Sequence, residues 1–281
     1  MKEQKEKTLL ERFTPKNIDR RILFWILLIT IITIYIHPIG IPVVITERTK
    51  AAYNFMENLA EGSIVFISID TTGGGYQESG PSMRNALRHC IRNKLRVVIA
   101  GFWAPEATTL QEMALKRVKL PPDWEYGVNY ITFGYIPGKE AAIAQLAEDF
   151  RQICITDLAG TNLEDLTLGR DIKDASSFAV VITVDTTGMA DTWIRHWSVG
   201  KETPVMVWGS AGVGVSSAPY YPQYVPGIVE GIRGGAEYEL LLGQPEDALR
   251  STDMLSATHI VVLLLILFGN ILYWGYEKRG H

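Results

Sequence analysis

Hydrophobic positions fall into two regimes along the chain. Residues 22–46 and 258–276 carry no charged side chain, while the stretch between them breaks into short apolar runs. Each run ends in Gly, Asp, Thr or Pro, and most are followed by a helix-like pattern. Residues 63–69 (SIVFISI) predict a β-branched strand running into Asp70-Thr71-Thr72-Gly73-Gly74-Gly75. Residues 81–93 predict a helix with Pro81 in its first turn and Met83, Leu87, Cys90 and Ile91 on one face. A strand over Arg96–Gly101 and a helix over 106–118 follow, then a strand over 130–133. An amphipathic helix over 139–153 turns Ile143, Leu146, Ala147 and Phe150 inward, and residues 178–184 and 204–208 give two more strands. Continuous apolar strands alternating with helices predict an α/β class, with an open, mainly parallel, three-layer Rossmann-like sheet.

The uncharged stretches predict two transmembrane helices, 22–37 and 258–276. They separate a tail (1–21), a juxtamembrane linker and helix (38–62), an α/β domain (63–257) and a second tail (277–281). Arg20, Arg21, Trp25 and Tyr35 suit the interfaces of the first span, and no small-x-small site follows it, so it reads as an uncleaved signal-anchor. Lys2, Lys5, Lys7, Arg12, Lys16, Arg20 and Arg21 precede that span, against Arg48 and Lys50 after it. Lys278 and Arg279 follow the second span, against Arg250 before it. Both termini are therefore expected in the cytoplasm and the α/β domain outside the cytoplasmic membrane, with the lipid bilayer as one partner.

The net charge of −4 argues against nucleic acid as a partner. The two cysteines, Cys90 and Cys154, are too few for a disulfide scaffold, and scattered histidines give no zinc spacing, so no metal or cofactor is expected. One internal echo stands out. Val65-Phe-Ile-Ser68-Ile-Asp70-Thr71-Thr72-Gly73 matches Val180-Val-Ile-Thr183-Val-Asp185-Thr186-Thr187-Gly188, which leaves open a duplicated half-domain.

Ligands of open parallel sheets bind outside the carboxyl ends of the strands. Those ends would present Asp70, Thr71 and Thr72, Asp185, Thr186 and Thr187, and Ser210. The carboxylates and hydroxyls suit a small ligand; the competing reading is that each Asp caps the following turn. Trp193, Arg195, His196 and Trp197 form an aromatic-basic cluster near Asp185, readable as binding surface or as the buried face of a helix. Arg84, Arg88 and Arg92 line one helix face, read as solvated in preference to an anion patch. Gly134–Gly138-Lys139-Glu140 is one residue short of a P-loop, and Gly209-Ser-Ala-Gly212-Val-Gly214 lacks dinucleotide spacing.

Residues 205–221 resemble the nucleophile region of membrane-anchored signal peptide peptidases of the Clp protease/crotonase superfamily, and Ile69–Gly74 their glycine-rich strand. That resemblance implies Ser216 or Ser217 as nucleophile with a lysine base, although no lysine here takes that position. Taken whole, the chain resembles a prokaryotic family of two-span membrane proteins that has no assigned reaction. His37-Pro-Ile-Gly-Ile-Pro42, Leu87-Arg88-His89, Trp193-Ile-Arg195, Ser217-Ala-Pro219 and Gly235-Ala-Glu237-Tyr238-Glu239 carry the likeness. The expected function is a membrane-anchored α/β domain that binds a small ligand or a membrane protein partner, with homo-oligomer formation open. The alternatives are a membrane-tethered hydrolase and a structural subunit of a membrane assembly.

Overall fold

The computed structural model describes residues 19–277. It forms two compact units, one of Val43–Leu249 and one of the segments before and after it. The smaller unit holds α1 (Arg20–Ile36). The larger runs α2 (Glu47–Glu57), β1 (Ile64–Asp70), α3 (Tyr76–Arg92), β2 (Arg96–Gly101), α4 (Ala107–Val118), β3 (Tyr130–Tyr135), α5 (Glu140–Glu148), β4 (Val180–Asp185), α6 (Ala190–Trp193), β5 (Val205–Gly209), α7 (Ala211–Ser217), β6 (Ile228–Glu230) and α8 (Gly231–Leu242). α6 continues as a π-helical turn over Ile194–Val199, and α9 (Asp247–Glu277) follows α8.

All strand pairs are parallel, in the order β3-β2-β1-β4-β5-β6. This is the doubly wound Rossmann order, in which the chain builds outward from the centre twice. A parallel sheet buries both faces, and the strands are apolar on both. Phe66, Val98, Ile131, Val181 and Val207 pack into one layer with Phe150, Phe178, Trp193 and Trp197. Val65, Ile67, Val97, Ile99 and Ile182 pack into the other with Met56, Met83, Leu87, Trp208 and Tyr238.

Several elements depart from the sequence expectation. α3 begins at Tyr76, so Pro81 lies inside the helix and not in its first turn. The helix expected over 139–153 breaks at Asp149, whose extended backbone (φ −153°, ψ 104°) and side chain cap a new turn at Arg151. α2 lies within the expected linker-and-helix segment 38–62 and packs into the core, with Ala52 and Met56 fully buried. Its first turn is held by Glu237, which accepts from Thr46 N and Oγ1 at 2.9 and 2.8 Å. β6 and α8 were not expected, being a three-residue strand and a glycine-rich helix. In α8 the glycines allow close approach: Asn85 Nδ2 donates to Gly235 O at 3.0 Å, and a Cβ at Gly235 would lie 3.3 Å from Ser82 Oγ.

The arginine row of α3 is neither solvated nor an anion patch. Arg84 pairs with Asp247 at 2.9 Å, Arg88 with Glu246 at 2.5 Å, and Arg92 with Glu57. Cys90 and Cys154 are buried free thiols, and burial pushes both well above the ordinary thiol range. Glu239 is buried and accepts from Glu246 N, Ala248 N and Leu249 N at 2.8, 3.0 and 3.0 Å, capping the start of α9. Loss of water raises its pKa. Both carboxylate oxygens accept, so Glu239→Gln must turn an amide NH2 towards at least one of these N–H donors, and we expect a loss of about 2 kcal/mol. That corresponds to roughly 4–8 °C in the thermal unfolding of the detergent-solubilised chain.

In the smaller unit α1 has 17 residues and so spans about 25 Å, short of the roughly 30 Å hydrocarbon core. α9 is the one helix among the described residues long and apolar enough to cross a membrane, over Asp247–Trp274. Two such spans were expected; the length of α1 is the reason for the difference. α9 also starts 11 residues before the expected boundary at 258. Asp253 accepts from Gly40 N and Ile41 N at 2.8 and 2.9 Å, which accounts for the Gly40 turn (φ +71°) between Pro38 and Pro42. Residues 1–18 and 278–281, which hold most of both expected tails, lie outside the described residues.

Candidate functional site at the carboxyl edge of the sheet

β1 and β4 are neighbours from which the chain departs in opposite directions, so the switch point of the sheet lies between their carboxyl ends. The two copies of the internal echo are these two strands, in register, with Asp70 opposite Asp185. Because side chains alternate along a strand, Ser68 and Asp70 share a face with Thr183 and Asp185.

Asp70 is fully buried. Its Oδ2 accepts from Ser68 Oγ (2.6 Å), Trp193 Nε1 (2.8 Å) and Thr183 Oγ1 (3.1 Å), and its Oδ1 from Phe102 N (3.2 Å). Loss of water, and then the charge of Asp185, push its pKa up to about 6. Asp185 Oδ1 accepts from Thr187 N (2.6 Å), Thr187 Oγ1 (2.9 Å) and Gly188 N (3.0 Å), and its Oδ2 from Ala190 N (2.8 Å). Burial raises its pKa too, and these donors oppose the rise. Neither carboxylate is free to meet a ligand. Asp185 holds the turn from Thr187 to Ala190 that leads into α6, and Asp70 ties β1, β4, the β2 end and α6 together.

The threonines close the gap above. Thr71 Oγ1 lies 2.8 Å from Thr186 Oγ1, and Thr187 Oγ1 donates to Asp70 O at 3.1 Å. Thr71 is buried, while Thr72, Thr186 and Thr187 are half-buried. A Cβ on Gly75 would stand 2.4 Å from Thr186 Oγ1 and 2.6 Å from Thr71 Oγ1, so the loop turns over this pair only with glycine there. Gly73 and Gly74 are exposed; a Cβ on Gly73 would meet open space, and one on Gly74 would touch Thr72 Oγ1 at 3.9 Å. They lead into α3, whose N-terminus has no side-chain cap.

The aromatic-basic cluster divides. Trp193 and Trp197 are fully buried, and Trp193 packs on Phe66 and Phe102, so the core reading holds and Trp193 is not binding surface. Arg195 is exposed and pairs with Glu140 at 2.6 Å; the His196 hydrogen bond, and then Arg195, lower the Glu140 pKa. Ser210 caps α7, and Glu78 Oε1 reaches across from α3 to accept from Ala211 N at 2.9 Å. Ser216 Oγ donates to Val213 O of its own helix at 2.9 Å, and Ser217 is fully buried with an unpartnered hydroxyl. Neither serine meets a lysine or histidine among the described residues.

Sequence reasoning passed over Glu78 at this edge; it met Gly73–Gly74 only in the peptidase resemblance and Lys139 only in the near P-loop, and Lys139 Nζ stands 3.8 Å over the Trp103 ring. A groove of about 420 Å³ lies elsewhere, along α5, lined by Ala141, Ala144, Gln145, Glu148, Gln152 and His196. It shares no residue with the strand ends. In comparisons with known proteins, no family model, no curated protein and no solved structure matches the chain.

Proposed function

We propose that the chain is a membrane-anchored binding protein that takes a small ligand at the carboxyl edge of its sheet, above the β1/β4 switch point, and carries out no reaction on it. The observation that carries this reading is the Gly73–Gly74 turn. It is exposed and unobstructed, and it sits between the switch point and the uncapped N-terminus of α3. Backbone N–H groups and helix dipole there favour a ligand that offers hydrogen-bond acceptors. Thr72, Thr186 and Thr187 supply hydroxyls beside it, while Asp70, Asp185 and Gly75 hold the loop in place. The hydrolase alternative is weakened by the surroundings of Ser216 and Ser217.

The membrane reading places α9 across the bilayer, with α1 completing a two-pass topology helped by Arg20 and Arg21 at its end. The α/β unit then faces outside the cytoplasmic membrane, and a tag at residue 281 is expected to resist protease on intact cells.

Ligand binding is tested by thermal shift of the detergent-solubilised chain against nucleotides, sugars, amino acids, lipid headgroups and divalent metals. A ligand at 100 times its Kd adds about 2.7 kcal/mol, a rise of roughly 5–11 °C. Gly73→Glu fits without strain because nothing lies within 4 Å of the new Cβ. It is expected to abolish the shift and leave the unliganded Tm unchanged. A shift that survives Gly73→Glu, or a panel without effect, would overturn the reading.

A further inference from the structure

We propose that α9 pairs in parallel with α9 of a second copy of this chain, along a stripe of His259, Leu263, Ile266, Asn270 and Tyr273. The Asn270 amides hydrogen-bond to each other across the interface. This rests on the membrane-spanning reading of α9.

The stripe has the alternating four- and three-residue spacing that keeps side chains on one face of a helix that meets another at a shallow angle. Leu263, Ile266 and Tyr273 are 60, 54 and 51% exposed. Ala257 and Leu272 are buried and Val261 and Leu265 half-buried, so a different side of α9 is covered. Asn270 lies two residues from Leu272, about 200° around the helix, and faces away from that covered side. It also lies about 5 Å from the midpoint of the uncharged stretch 258–276, deep in the hydrocarbon.

An amide in hydrocarbon is costly unless its groups are paired. Asn270 Nδ2 donates one hydrogen to Ile266 O at 2.9 Å. Its second amide hydrogen and its Oδ1 have no partner among the described residues. A carboxamide holds donor and acceptor together, so two copies related by a two-fold axis complete each other. Insertion gives every copy the same direction in the bilayer, which makes the pair parallel and sets Asn270 opposite Asn270. Gly269 beside it has nothing within 4 Å of a would-be Cβ, leaving room for the helices to approach.

The test is oxidative cross-linking of the full chain in native membranes, with single cysteines introduced as Leu263→Cys, Ile266→Cys or Tyr273→Cys, compared with Leu264→Cys, Leu265→Cys and Leu267→Cys. The unmodified chain, whose own cysteines are buried, gives the background. The first three variants are expected to form dimers and the others to stay near background. Energy transfer between labelled copies in liposomes is expected to show association weakened on the order of 5- to 30-fold by Asn270→Leu, with Asn270→Gln restoring most of it. Dimers at all six positions, at none, or association indifferent to Asn270→Leu would overturn the pairing. Extraction by alkaline carbonate separates the two readings. A chain that stays in the membrane but does not pair sinks the pairing alone, and a chain that is released sinks the spanning reading and the pairing with it.

Discussion

Replacing Asp70 by alanine is expected to lower the stability of the α/β unit by about 4 kcal/mol, a fall in Tm of roughly 8–16 °C. The side chain touches no solvent, so the loss comes from the donors it leaves behind. Ser68 Oγ and Thr183 Oγ1 can rotate towards other acceptors, but Trp193 Nε1 and Phe102 N are fixed by packing and by the strand end. Buried donors without acceptors cost about 1–3 kcal/mol each. A surface ligand contact predicts the reverse pattern, with stability kept and binding lost.

The same carboxyl has a pH signature. Its folded pKa of about 6 lies above the ordinary value of 3.8, so between these pH values the folded chain holds a proton that the unfolded chain has released. Asp70 therefore lends most stability below about pH 4 and loses it as the pH rises through 6, on the order of 3 kcal/mol. His89 acts in the opposite sense. Burial lowers its pKa from 6.5 to about 4, so its contribution rises over that window. Asp70→Asn imitates the protonated acid and removes its falling slope, leaving those of Asp185 and Glu239, whose pKa values burial also raises. Its stability is expected to climb more steeply from pH 4.5 to 6.5 than that of the unaltered chain. Parallel curves in denaturant titrations at the two pH values would show that Asp70 does not titrate there.

A second large effect is expected from a single methyl group. Gly209 ends β5, and a Cβ on it would stand 2.0 Å from the backbone oxygen of Asp185. Backbone cannot swing aside as a long side chain can, so Gly209→Ala must force β5 from β4 at the edge where the candidate site lies. We expect a loss of about 3 kcal/mol or more, with a Tm lower by roughly 6–12 °C. Gly212, three residues on, is the control. It lies in the first turn of α7 with nothing within 4 Å, so Gly212→Ala is expected to be neutral or to add about 0.5 kcal/mol. Equal effects at the two positions would contradict the packing described at Gly209.

Five of the six strands and the parallel α/β class are legible in the sequence, because strands buried on both faces need unbroken apolar runs. β6 is not legible: three residues are too few to show any period. α8 is hidden for a different reason, since its glycines argue against a helix until α3 is seen lying against it. At the strand ends the Asp-Thr-Thr-Gly echo falls at the switch point, but it says nothing of exposure. The signal that both Asp side chains turn inward is the pair Ser68 and Thr183, polar residues at matching places inside apolar strands and on the same face as the carboxylates. Trp193 could not be divided between core and surface by spacing, because a tryptophan four residues before another suits either role. The shortfall of α1 is legible in its length alone.

The strand order also fixes a sequence of events during synthesis. β1, β2 and β3 can assemble as soon as residue 135 is available, but the central edge of β1 must wait for β4, whose residues lie 115 positions behind their partners. At translation rates of about 5–20 residues per second, that edge stays unpaired for roughly 6–23 s. During that time the backbone of Val65-Phe66-Ile67-Ser68-Ile69 is an open template for any other strand. The nascent chain is thus most exposed to aggregation at the strand that becomes the most protected in the finished sheet, and a holding chaperone would act between the emergence of β1 and that of β4.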